Sequence, residues 1–112
     1  MATLTPQTAS IGGTAITFAS AAGGGDQFAN SGSERVIIKN GSGGSLTVTF
    51  DSPTTCSFGA SAAAAHDIAV VVAAGAETIA GPFAVERFND ANGNVQITYS
   101  GVTSLTVAVV RR

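Results

Sequence analysis

Apolar residues in this chain recur at every second position, a period that specifies half-buried strands and excludes amphipathic helices. Leu46, Val48 and Phe50 alternate with Thr47 and Thr49, and Val95, Ile97 and Tyr99 alternate with Gln96 and Thr98. Leu105, Val107 and Val109 repeat the pattern around Thr106 and Ala108. Arg35-Val36-Ile37-Ile38-Lys39 is apolar on both faces and suits a central strand capped by charges. Ile68-Ala69-Val70-Val71-Val72 reads the same way. Residues 14–18 and 78–83 bring the set to seven candidate strands, the last ending at Pro82 or lying at an edge because proline has no amide to donate.

The punctuation between these runs agrees with them. Asn40-Gly41-Ser42-Gly43-Gly44 tolerates positive φ and reads as a hairpin loop, and Ala73-Ala74-Gly75-Ala76 reads likewise. Asn89-Asp90-Ala91-Asn92-Gly93-Asn94 and Ser100-Gly101-Val102-Thr103 set off the last two strands. Short strands at about ten-residue spacing predict an all-β chain, a small antiparallel β-sandwich or barrel of Ig-like or jelly-roll-like type. Val85–Asn89 predicts a single helical turn, and Ala62-Ala63-Ala64-Ala65 a loop with at most one such turn. Residues 1–13 read as an extended N-terminal arm and residues 14–112 as one domain, since 112 residues support a single core. Residues 20–33 and 52–65 are loops long enough to carry function.

Only 11% of residues are charged, well under the usual quarter or so, so the surface is covered by Ser, Thr, Asn, Gly and Ala. A net charge of −2 disfavours electrostatic binding to nucleic acid, and no apolar run is long enough for a membrane helix. The single cysteine, Cys56, excludes an internal disulfide and a cysteine-based zinc site. The first residues lack a basic stretch followed by an apolar one, which predicts synthesis and folding in a cytoplasm.

Residues for catalysis are few. His66 neighbours Asp67 and lies near Ser57 and Ser61, but adjacent strand residues point to opposite faces, so the pair reads as a polar strand mouth. Cys56 has no visible basic neighbour to activate it. Asp90-Ala91-Asn92-Gly93-Asn94 resembles a calcium loop, yet the twelfth position is Gly101 where a bidentate Glu is needed, and an Asn-Gly turn is the better reading. The glycine clusters lack the Lys-Ser/Thr of a phosphate loop. No catalytic residue, cofactor or metal is therefore expected. Tyr99 is in phase with the core, whereas Phe28, Phe58 and Phe88 fall in loops, either as anchors folded onto the core or as docking residues. Arg111-Arg112 reads as a charged guard on an edge strand or as a contact for an acidic surface.

A further signal lies in the order of several segments. The run from Arg35 to Ser42, the Ala74-Gly75-Ala76 to Gly81-Pro82-Phe83 segment, and Asn89-Asp90 followed by Gly93 to Ser100 resemble a group of small structural proteins of tailed bacteriophages. The resemblance covers residues 14–110 and implies a virion component, a head decoration (cement) protein on the outer surface of the capsid. Its partner would be the major capsid protein, and the candidate contacts would be Thr3, Thr5 and Gln7 of the arm with Phe28, Phe58 and Phe88. The alternatives are a tail or head–tail component and a glycan-binding surface module. Self-association is common on symmetric shells, but no seam for it is legible.

Overall fold

A computed structural model describes residues 2–53 and 67–111. The strands are β1 (Ala2–Leu4), β2 (Gln7–Thr8), β3 (Ala19–Ser20), β4 (Asp26–Ala29), β5 (Arg35–Asn40), β6 (Leu46–Phe50), β7 (Ile68–Val72), β8 (Glu77–Ala80), β9 (Asn94–Tyr99) and β10 (Leu105–Arg111). One helical turn, α1 (Val85–Phe88), separates β8 from β9. One sheet runs β1-β4-β9-β6-β7 and the other β2-β10-β5-β8, with β3 also paired to β10. Every connection from β3 to β10 except β6–β7 passes from one sheet to the other, the connectivity of a jelly roll. Pairing is antiparallel except at the two N-terminal strands, where β1 joins β4 and β2 joins β10 in parallel.

Six of the seven expected strands form, and the alternation sets their faces. Val36 and Ile38 of β5, Val48 and Phe50 of β6, Val95 and Ile97 of β9, and Val107 and Val109 of β10 are all buried between the sheets. Four phenylalanines close one part of this core. The Phe83 ring lies 4.6 Å from Phe50, 5.3 Å from Phe88 and 5.8 Å from Phe28, centroid to centroid.

Five expectations need correction. Residues 14–18 are not a strand, because the Gln7 side chain takes the ladder's place. Its Nε2 donates to the Thr17 carbonyl and its Oε1 accepts from the Thr17 amide. The supposed loop 20–33 contains β4, whose Asp26 hides a strand signal by being a buried carboxylate. Asp26 accepts hydrogen bonds from the Tyr99 hydroxyl at 2.6 Å and the Ala22 amide at 3.2 Å. Gly25 just before it has φ +96°, and a Cβ there would stand 2.6 Å from the Ile97 carbonyl oxygen, so only glycine fits. The segment 1–13 is not a separate arm, since β1 and β2 tie it to both sheets. β7, expected to be central, is an edge strand with Ile68, Ala69 and Val71 exposed.

The fifth correction concerns the turns. The loops after β5 and β7, expected as hairpins, are arches between sheets, and the loop after β9 is a third such arch. Asn40 explains this, because its buried side chain donates to the carbonyls of Gly44 and Val72 and accepts from the Ser42 amide and hydroxyl. Its backbone bonds Gly75 and Ala76, and the Gly41 amide donates to Ser104, so the three arches meet at one rivet. At the other end of β5, Asn30 and Asn89 bond each other through side chains and backbone and hold the Phe83 carbonyl.

Candidate docking surface

The segment after β2 doubles back over the end of the second sheet and is braced by its own polar groups. The Thr14 hydroxyl donates to the Thr8 carbonyl at 2.9 Å, the Ser10 hydroxyl bonds Thr14 and the Gly13 carbonyl, and the Ala9 amide donates to Arg111. The loop carries Ile11 at its tip, fully exposed, and Ile16 on its return. Under it lies an open groove of about 350 Å³ whose apolar lining includes Ile16, Ile79 and Val110 and whose charged lining is Arg35 and Arg111. Ile79, on edge strand β8, is 61% exposed.

The two guanidiniums have different circumstances. Arg111 Nε lies 3.6 Å from Oε2 of Glu34, a carboxylate that is almost wholly buried. Burial alone raises the Glu34 pKa. The amide and hydroxyl of Ser31, with the charge of Arg111, outweigh burial and hold it below the ordinary value. Arg35 stands opposite Val110 in the ladder and has no carboxylate within ion-pair distance among the described residues. Lys39, two positions along, is occupied by Glu77 at 3.2 Å and by the face of Phe18 at 4.1 Å.

The outer face of the other sheet is polar across β1, β4 and β9, whereas its β7 edge exposes Val71. Gln27 donates to the Thr3 hydroxyl, and Gln96 donates to both Gln27 and Asp90, making a chain across β1, β4 and β9 toward Asp51 and Asp67. Burial, the charges of Asp67 and Asp90 and a hydrogen bond to Asp67 raise the Asp51 pKa. An acid whose pKa rises on folding opposes folding above that pKa. Asp51→Asn is therefore expected to raise the melting temperature at neutral pH, with the gain vanishing in acid, where Asp51 is protonated in both states. Thermal scans of both proteins across pH check this, and an unchanged melting temperature at neutral pH would refute it.

The Asp90 loop is a turn built on its own side chain. Oδ1 accepts from the Asn94 and Asn92 amides, which, with Gln96, keep the Asp90 pKa low against a smaller effect of burial. Among the described residues no group of three or more His, Cys, Asp or Glu is placed to hold a metal. Asp67 accepts from the Ser52 amide, whereas Cys56, Ser57, Ser61 and His66 lie outside the described residues.

The sequence-named contact residues divide. Thr3, Thr5 and Gln7 lie together along a second groove of about 330 Å³ beside β10, with Thr3 and Thr5 exposed. Phe28 and Phe88 are buried in the phenylalanine cluster and offer no docking surface, as anchors folded onto the core. Phe58 lies outside the described residues. Ile11, Ile16, Arg35 and Ile79 were missed. The only signal for Ile79 was its place on a strand interrupted by Pro82, and Arg35 gave none, since its proximity to Arg111 depends on β5 pairing with β10. Comparison with protein families, with curated proteins and with solved structures finds no match to this chain.

Proposed function

We propose that this protein is a non-enzymatic docking protein of a bacteriophage particle, a decoration protein that binds the outer surface of the head and stabilises the shell. The observation that carries the reading is the exposure of Ile16 and Ile79 in one groove, with Ile11 exposed on the loop that borders it, on a chain with few charges to desolvate. The motif order described above supplies the phage and the capsid partner. The mechanism is passive: a protein that binds only the assembled shell stabilises it by mass action. The braced loop suits this role because its shape is set before binding, which limits the ordering cost of docking.

Cosedimentation of the purified protein with empty expanded heads, and separately with tails, of the encoding phage tests the reading. Saturable binding to heads is expected, lost in the Ile11→Asp, Ile79→Asp double variant and kept in Val71→Asp on the opposite sheet. Binding to tails alone would move the protein to the tail. Saturable binding to a glycan array without binding to heads would make it a surface module.

A further inference from the structure

We infer that the groove beneath the 9–17 loop takes an extended protein segment that sets a carboxylate beside an aliphatic side chain, with Arg35 as the residue that selects the acid. The inference rests on the docking reading above and names the chemistry of the partner. Arg35 is the argument's centre. It is half-buried at the edge of an apolar floor formed by Ile16, Ile79 and Val110, and no carboxylate of the described residues neutralises it. Covering it with a purely apolar segment would remove water from a guanidinium and return nothing, which is costly. A carboxylate returns two parallel charge-assisted hydrogen bonds in the geometry a guanidinium presents. Arg111 cannot substitute, because its Nε faces Glu34, but its charge adds to the field that draws an acid and repels a base.

The basic character of this end is a local exception. The chain carries a net charge of −2, yet two of its five basic residues, Arg35 and Arg111, line this one groove. That concentration favours a single acidic side chain and is too small for a nucleic-acid backbone, which needs many cations along a track. The groove's 350 Å³ falls in the small-ligand range of about 300–1,000 Å³ and accommodates a few side chains, not a helix. Edge strand β8, which carries Ile79, pairs only with β5 among the described residues. Its outer backbone groups are open to an extended segment, so strand addition supplies affinity while Arg35 and the aliphatic floor supply specificity.

Panning a random dodecapeptide library against the purified protein tests this, followed by fluorescence anisotropy with the selected peptides. The expected consensus places Asp or Glu beside Ile, Leu or Val. Arg35→Met is expected to weaken the best peptide by roughly tenfold or more, the loss of one charge-assisted pair. Arg35→Glu should weaken it further and recover binding to the same peptide with its acid changed to Lys. Lys39→Met on the same sheet should leave affinity within about twofold, since Lys39 lies outside the groove lining. Failure to enrich any peptide, a consensus without an acid, or full affinity in both Arg35 variants with unchanged melting temperatures overturns the inference. So does displacement by millimolar inorganic phosphate without peptide selectivity, which would mark a simple anion site. Full occupancy of heads by Arg35→Glu would sink this inference and leave decoration standing. Acidic peptides bound as expected, with no binding of the wild-type protein to heads, would do the reverse.

Discussion

Replacing Phe83 with Ala is expected to lower the stability of the protein by about 3–5 kcal/mol, the usual cost of emptying a buried phenylalanine site. Phe83 is 4% exposed and touches three other rings, tilted against Phe28 and Phe50 and edge-on to Phe88 at 80°. Each such pair adds about 0.5–1.5 kcal/mol beyond area burial, so the loss falls toward the upper end. The rings come from β4, β6, α1 and the segment after β8, and no single element can collapse to fill the space. For a domain near this size the expected fall in melting temperature is roughly 15 °C or more. Phe18→Ala is the contrast, because that ring lies on the outer face beneath Lys39 and its loss should cost only about 1 kcal/mol. Urea unfolding followed by circular dichroism measures both. A Phe83→Ala loss no greater than that of Phe18→Ala would show that the ring cluster is not the centre of the core.

Acid should destabilise the protein through Glu34. Its pKa in the folded state is held below the ordinary 4.5 by Ser31 and Arg111, so the unfolded chain binds the proton more tightly. The stabilisation it provides is complete above about pH 4.5 and is lost as pH falls through the folded-state value. Glu34→Gln keeps the shape and removes the charge, leaving Arg111 Nε with no opposite charge and Ser31 with a weaker acceptor. Near pH 7 this should cost about 2 kcal/mol, below the 3–5 kcal/mol of a fully buried pair because Arg111 is partly exposed. Near pH 2 wild type and variant should converge. Curves that stay parallel down to that pH would assign the acid sensitivity elsewhere. Asp51 acts in the opposite sense, over a window that runs upward from its ordinary 3.8 where that of Glu34 runs downward from 4.5, so at neutral pH Asp51→Asn and Glu34→Gln should bracket the wild type.

The inward-facing residues were legible because strand geometry is local. Val48, Phe50, Val95, Ile97, Val107 and Val109 point inward for no reason other than a two-residue period, whatever their strands pair with. β4 was not legible, because a single buried carboxylate broke its pattern. Asp26 is tolerated there only through Tyr99 and Ala22, one of which is 73 positions distant. The exchange of hydrogen bonds between Gln7 and Thr17 was equally invisible, since a glutamine side chain standing in for a strand depends on where the loop returns. Phe28 and Phe88 looked like loop residues, and one proves to sit on a strand, the other on a single helical turn.

The turns show the same division at a larger scale. Asn40-Gly41-Ser42 announces a reversal of the chain, and the side chain of Asn40 does bond locally to Ser42 and Gly44. Its other hydrogen bond reaches Val72, and that contact makes the reversal an arch between sheets instead of a hairpin within one. By itself, the sequence determined the class of fold, most of the strands and which side of each faces the core, because alternation and turn chemistry act over a few residues. The tertiary structure alone decided strand order, the three arches at Asn40 and the groove that unites Arg35, Arg111, Ile16 and Ile79. Those depend on contacts between residues distant in the chain, and no local pattern encodes which strand will lie beside which.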